Sequence, residues 1–332
     1  MSNAVAALMF VGVVAYALFA GADFGAGFWD LTAGGARRGR SVRHLIDVSV
    51  GPVWEANHTW LIYCLVMLWS GFPRAFAAIT TTLYIPLGLA VLGIVLRGSG
   101  FAFRKAALRT AEQRLYGVAF AVSSVLTPYC FGSVAGAVAS GRVPSGGHGD
   151  AVGSWINPTS ALGGVLAVVV CAYLSAVFLT VDARHQGSGV LEAGFRARTL
   201  LAGAVTGVVC LAGVFVIHSD SPRLFHQLSH RGLGLVIVSA LCGIAGLYLM
   251  AVRRPFAERS LAAVAVAAVV TGWGVAQYPF LLGTHLRISA AASPGPTLWV
   301  LIAVAGVAGL LIAPSLAALY ILQNRGRLPT QA

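Results

Sequence analysis

Nine apolar stretches separated by short polar connections set the strongest limit on how this chain folds. A helix needs about 20 residues to cross the hydrocarbon core of a bilayer. Hydrophobic residues make up 58% of the 332 residues, and charged residues only 10%. These values exclude an ordinary soluble domain and favour an all-α, polytopic membrane protein with a single integral membrane domain over residues 1–332. The predicted helices cover about residues 4–27, 53–72, 75–96, 115–138, 157–180, 199–217, 232–252, 260–280 and 298–321.

The positive charge is distributed unevenly between the two sides of this predicted membrane domain. Of the 22 Lys and Arg residues, 17 follow odd-numbered segments, either in connections or in the C-terminal tail. The other five are Arg74, Arg142, Arg223, Arg231 and Arg287. The positive-inside rule therefore predicts a multi-pass membrane protein with its N-terminus outside and its C-terminus in the cytoplasm. The same alternation accounts for the net charge of +12 without a nucleic-acid partner.

A carboxylate, an amide and an imidazole lie near the start of the second predicted helix. Glu55, Asn57 and His58 follow Trp54 in an otherwise apolar segment. An ionisable group at the centre of a membrane helix costs about 2.5–3.5 kcal/mol or more, so it usually serves a proton, an ion or a partner. Glu55 and His58 are spaced i, i+3, which predicts that they share one face. A carboxylate in a first helical turn is also stabilised by the helix dipole, so a purely structural interpretation of Glu55 stays open.

A second acidic residue lies among glycines near the cytoplasmic end of the first predicted helix. Gly21, Gly25 and Gly27 surround Asp23. Glycines allow a neighbouring helix to approach closely, so we expect Asp23 to face protein rather than lipid. Asp23 and Glu55 are predicted at comparable depths, which makes a short polar path from the cytoplasm geometrically reasonable.

Four blocks of sequence follow one another in a characteristic order. They are Gly-Ala-Asp-Phe-Gly-Ala-Gly at 21–27, Gly-Pro-Val-Trp-Glu-Ala-Asn at 51–57, the segment 96–104, and Gln-Tyr-Pro at 277–279 with the segment 286–294. These blocks resemble the signature blocks of subunit II of cytochrome bd-type quinol oxidases. The resemblance is good over about residues 16–105 and 276–300; elsewhere only hydropathy and helix count agree. The chain departs from the family pattern at Ala20, where an acid is common, at Glu55, where Asp is usual, and at the atypical His58.

The resemblance implies two four-helix bundles plus a peripheral helix, paired with a haem-bearing subunit I. It also implies membrane lipid and small accessory subunits as further partners, b- and d-type haems in subunit I, and quinol as the substrate of the complex. Such a complex oxidises quinol, takes protons from the cytoplasm and reduces oxygen to water. By position, Glu55 and Asp23 match the acids of the family's proton path.

The remaining residues of these blocks receive supporting roles. His58 is added to the predicted proton path because of its place beside Glu55. Trp54, Asn57, Arg97 and Arg104 match recurrent family positions and are expected to support the path and the subunit interface.

The histidines favour an accessory subunit that binds no haem. Haem bound between membrane helices needs axial ligands, most simply His, inside the spans. Of eight histidines, only His58 lies within a predicted span. We therefore predict no cofactor, no metal site and no catalytic residue in this chain alone, and an isolated chain without activity.

Two other classes of function remain open on the sequence. A proton-coupled secondary membrane transporter also contains intramembrane acids and helix-breaking prolines, although it favours an inverted repeat with polar residues at the midplane. If the chain is only a structural scaffold, Glu55 is a charge at a helix end that can be removed without loss of function.

Overall fold

The chain forms thirteen helices and one short hairpin within the residues described by a computed structural model, namely 1–35, 37–51, 54–106 and 110–324. The elements are α1 (Ser2–Leu31), α2 (Arg40–Val50), α3 (Trp54–Gly71), α4 (Pro73–Thr82), α5 (Tyr84–Ala106), α6 (Thr110–Ala139), α7 (Pro158–His185), α8 (Gly189–Asp220), α9 (Pro222–His230), α10 (Leu233–Ala251), α11 (Glu258–Gln277), β1 (Phe280–Leu282), β2 (Leu286–Arg287), α12 (Ile288–Ala291) and α13 (Gly295–Asn324). The predicted all-α, multi-pass architecture is confirmed.

Membrane-crossing helices make up most of the described chain. Eight helices (α1, α5, α6, α7, α8, α10, α11 and α13) are long and apolar enough to cross a bilayer individually. A ninth span results if α3 and α4, which are bent by 115° at their junction, count together. This agrees with the predicted number of about nine.

Prolines divide the region predicted as two helices over 53–72 and 75–96. Phe72 precedes Pro73, and a residue before proline is disfavoured in the helical conformation, so α3 ends and α4 begins there. Pro86 has no N–H to donate to the carbonyl of Thr82, and the chain breaks again at Leu83 before α5. The predicted single helix over 75–96 is therefore two helices.

The last predicted loop also contains structure that the sequence did not indicate. The helix predicted over 260–280 ends at Gln277. A cis peptide joins Tyr278 to Pro279, and β1 pairs with β2 in an antiparallel hairpin before α12.

Helix α1 is the centre of the molecule. It packs against α3 and α6 on one side and against α7 and α11 on the other. Helix α5 packs on α6, while α7, α8, α10 and α11 contact one another in sequence, as expected for two four-helix bundles. Helix α13 contacts α1 and α3 and is otherwise peripheral.

Two apolar cores lie at opposite ends of α1. The core near its N-terminal end contains Val5, Phe72 and Leu298, and the core near its C-terminal end contains Trp29 and Leu174. Asp23 lies on α1 between Ala22 and Ala26, which pack in the second core, so its charge occupies a region enclosed by protein.

Candidate functional site

A buried ion pair joins α1 to α5. Arg97 Nη2 donates a hydrogen bond to Asp23 Oδ1 at 2.6 Å and another to the main-chain oxygen of Asp23 at 3.1 Å. The two side chains are only 1% and 2% exposed. A buried charge is costly unless a partner of opposite sign is close, so each residue makes the other's burial tolerable.

Helix α6 and two aromatic rings complete the surroundings of the Arg97 guanidinium. Its Cζ lies 5.0 Å from the ring centroid of Phe24 and 4.6 Å from that of Phe120, both within the range of cation–π interaction. Ser124 Oγ accepts a hydrogen bond from Arg97 Nη1 and donates one to the Phe120 carbonyl at 2.6 Å. Three helices therefore hold the guanidinium in place.

Two glycines of the 21–27 block allow neighbouring helices to reach Asp23. A Cβ atom at Gly25 would lie 1.9 Å from the carbonyl oxygen of Cys171 in α7. One at Gly27 would lie 2.1 Å from Ser124 Oγ in α6. The prediction that Asp23 faces protein is confirmed, since that residue is 3% exposed.

Helix α3 packs antiparallel to α1. Buried Asn57 donates from Nδ2 to the Phe19 carbonyl at 3.3 Å, and the Tyr63 hydroxyl donates to the Leu8 carbonyl at 3.1 Å. From this register and a rise of 1.5 Å per residue, Glu55 lies within about 10 Å of the level of Asp23 along the helix axis. The two acids therefore lie at similar depths.

Glu55 and His58 lie in different environments. The i, i+3 spacing had predicted that they share one face of the helix. Glu55 is exposed on the surface of the chain, whereas both ring nitrogens of His58 are buried. The His58 ring centroid lies 5.9 Å from that of Phe24 and 6.3 Å from those of Tyr16 and Trp54. Residues three apart differ by about 60° around a helix, and the boundary of the contact between α1 and α3 falls between these two.

The remaining predicted residues lie along α5 or against it. The Trp54 ring lies 5.7 Å from the Phe101 ring, and a Cβ at Gly98 would lie 3.6 Å from the Trp54 ring. Trp54 therefore packs beside Arg97. Arg104 belongs to the same helix, but its side chain lies outside the described part of the structure.

The sequence did not identify every residue of this cluster. Arg97 was assigned a supporting role, although it is the direct partner of Asp23. Ser124 and Phe120 lie in α6, where the family resemblance extended only to hydropathy. A lone arginine at the end of one apolar segment and a lone acid in another are a weak signal for such a pair.

One family of known proteins matches nearly the whole chain. The family described as cytochrome bd terminal oxidase subunit II matches residues 1–323. The chain belongs to this family. It is therefore a subunit of a bd-type terminal oxidase, an oxidoreductase complex in which it has a partner, subunit I.

Individual relatives are distant. Cytochrome bd ubiquinol oxidase subunit 2 of Bacillus subtilis (strain 168) is 23% identical over 239 residues, covering 71% of this chain and 67% of that protein. Cytochrome bd-I ubiquinol oxidase subunit 2 of Escherichia coli (strain K12) is 26% identical over 223 residues, covering 63% of this chain and only 56% of that protein. A chain in the structure of bd oxidase from Geobacillus thermodenitrificans superposes with a TM-score of 0.77 at 23% identity, covering 97% of this chain and 98% of that one, so the fold is shared.

Three aromatic rings surround His58. The centroids of the Tyr16, Phe24 and Trp54 rings lie 5.9–6.3 Å from the centroid of the His58 ring. Among the described residues, no group of three or more His, Cys, Asp or Glu side chains is arranged to hold a metal ion.

Proposed function

We propose that this chain is a subunit II that binds no haem and brings protons from the cytoplasm to its partner during quinol-driven reduction of oxygen to water. In this proposal the partner subunit I holds the b- and d-type haems and supplies the electron-transfer chemistry. The present chain supports subunit I in the bacterial cytoplasmic membrane. Its own contribution is a polar route that begins at Glu55 and continues at Asp23 and His58.

The observation that carries the proposal is the buried pair of Asp23 and Arg97. A scaffold has no evident use for two charges inside a membrane bundle, where their burial has to be compensated. One carboxylate oxygen, Asp23 Oδ1, accepts the Arg97 hydrogen bond, while Oδ2 is buried without a hydrogen-bond partner. Oδ2 is therefore the atom of this pair that is available to take up a proton.

Glu55 supports the proposal by its position. It is exposed on α3, at a depth similar to that of Asp23. An acid on the surface of the chain at that depth suits an entry point for protons. It also suits a contact with another polar subunit better than a contact with lipid.

Membership of the oxidase family favours this function over the secondary transporter. The position of the buried charges also argues against a transporter. Asp23 lies on α1 and Arg97 on α5, and both helices belong to one bundle. A transporter built from inverted repeats would place its polar site between the repeats.

The test is a pair of substitutions at Glu55 in the assembled oxidase. Glu55→Gln keeps the size and hydrogen bonding of the side chain but cannot carry a proton, so oxygen consumption should slow by about tenfold or more. Glu55→Asp keeps the acid, which is the family's usual residue, and should retain most of the activity. The haem absorbance spectrum of each purified complex reports whether assembly is intact.

Glu192→Gln is the matched control. Glu192 is a partly exposed acid that accepts a hydrogen bond from Arg184 at 2.7 Å, away from the Asp23 cluster. We expect this variant to respire at the rate of the unmodified oxidase. Full turnover of an intact Glu55→Gln complex would show that Glu55 is a helix-end charge and that the proposed route is wrong.

A further inference from the structure

Several buried polar atoms of the Asp23 region lack a hydrogen-bond partner within the protein. They are Tyr16 Oη, Asp23 Oδ2 and both ring nitrogens of His58. Folded proteins pair nearly all such atoms with protein groups or with ordered water, because an unpaired buried polar atom destabilises the fold. Four such atoms within one region leave hydrogen-bonding positions that ordered water can fill.

These atoms belong to side chains that are neighbours at the contact of α1 with α3. Tyr16 and Asp23 are seven residues apart, so they lie on the same face of α1, about 10 Å from each other along the axis. The His58 ring, which comes from α3, lies 6.3 Å from the Tyr16 ring. Phe24 contacts both rings, at 6.4 Å from Tyr16 and 5.9 Å from His58.

The region has a definite boundary at each end. On one side lies the ion pair of Asp23 and Arg97. On the other side, Tyr16 lines a cavity of about 830 Å³ that follows α1 toward Asn3 and is walled mostly by apolar side chains such as Phe10 and Phe131. Tyr16 therefore lies where the polar region meets the apolar cavity.

We propose that Tyr16 and His58 bind ordered water that extends the proton route inward from Asp23. This inference rests on the proposed function and adds Tyr16 to it as a further residue of the route. Buried water typically makes two to four hydrogen bonds, and the orphaned atoms of these three side chains supply that number.

The chemistry of the two residues suits proton transfer through such water. The imidazole accepts a proton at one ring nitrogen and releases another from the second nitrogen, and it returns to its starting form when the tautomer resets. The phenol hydroxyl donates one hydrogen bond while it accepts another, so it positions water without changing its own charge. Only O–H and N–H bonds form and break, and no oxidant or reductant is consumed.

The experiment measures proton uptake by the complete oxidase. Reduced complex is mixed with oxygen in a weakly buffered solution that contains a pH-indicating dye, and the rate of proton uptake is compared among variants. Tyr16→Phe removes only the hydroxyl group, and His58→Gln keeps hydrogen bonding but cannot pass a proton between two ring nitrogens. We expect each to slow uptake by about tenfold or more, with the haem spectrum unchanged.

Tyr63→Phe is the matched control at the same helix contact. The Tyr63 hydroxyl donates to the Leu8 carbonyl at 3.1 Å and so has a protein partner. Its loss should lower thermal stability but leave proton uptake at the rate of the unmodified oxidase. A merely structural role for Tyr16 would produce this same pattern in Tyr16→Phe.

The outcomes separate this inference from the function on which it rests. If Glu55→Gln slows uptake while Tyr16→Phe and His58→Gln do not, the inference is wrong, and the proposed route is reduced to Glu55 and Asp23. If all three variants take up protons at the normal rate, both are wrong. Should Tyr16→Phe fail to assemble, the rate of His58→Gln decides, since normal uptake in that variant overturns the inference.

Discussion

Arg97 Nη2 lies 2.6 Å from Asp23 Oδ1, and the two side chains are 1% and 2% exposed. This contact joins two helices through residues that are 74 positions apart in the sequence. Phe24, Phe120 and the Ser124 hydroxyl surround the guanidinium. The pair therefore depends on the packing of three helices and is not a surface contact that water would screen.

Removing one member of this pair should destabilise the protein more than removing both charges. Breaking a buried ion pair from one side costs about 3–5 kcal/mol, because the remaining charge is left uncompensated. We expect Arg97→Met to lower the thermal unfolding midpoint of the purified complex strongly. The double variant Arg97→Met with Asp23→Asn should recover much of that loss. Equal midpoints for the single and the double variant would contradict the pairing.

Gly132 and Gly207, each of which belongs to a G-x-x-x-G sequence, should respond differently to substitution. A Cβ at Gly132 would lie 2.2 Å from the carbonyl oxygen of Gly163, whereas no atom lies within 4 Å of a Cβ at Gly207. Gly132→Val should therefore separate α6 from α7 and cost about 1–3 kcal/mol or more. Gly207→Val is the control and should fold normally. Thermal unfolding in detergent measures both, and similar midpoints would contradict the close packing at Gly132.

These two glycines show where sequence reasoning succeeds and where it stops. Span lengths depend on local composition, so about nine crossings could be predicted, and the glycines around Asp23 predicted its burial. Gly132 and Gly207 each belong to a G-x-x-x-G sequence, and the approach of α7 is what places an atom close to Gly132. Likewise, Arg97 becomes the partner of Asp23 through the tertiary packing of α1, α5 and α6, which no single segment encodes.

The predicted second and third spans illustrate the same limit for the backbone. Hydropathy averaged over 20 residues indicates membrane-crossing length, but it does not respond to a bend. The prolines at 73 and 86 remove individual hydrogen bonds, so α4 separates from both neighbouring helices. In the candidate site, the side of α3 that Glu55 occupies could not be predicted, because 60° of rotation decides between exposure and burial.

The membrane orientation is a further prediction. With 17 of the 22 basic residues on one side, a tag at residue 1 should face the outside and a tag at residue 332 the cytoplasm. Nine crossings require the two ends to lie on opposite sides. Accessibility of each tag to a membrane-impermeant reagent, in intact and in opened cells, measures this. Finding both ends on one side would remove one crossing from the proposed topology.

The last prediction is that this subunit II, produced without its partner, binds no haem. Its central histidine, His58, is enclosed by the rings of Tyr16, Phe24 and Trp54, and it would have to leave this packing to reach an iron atom. The purified lone chain should show no haem absorbance at stoichiometric level, while co-production with subunit I should give the full oxidase spectrum. His58→Gln in the co-produced complex should leave haem content unchanged even if it slows proton uptake. A stoichiometric haem signal from the lone chain that His58→Gln abolishes would make His58 an axial ligand, and the assignment of this subunit as a proton-conducting partner without haem would be wrong.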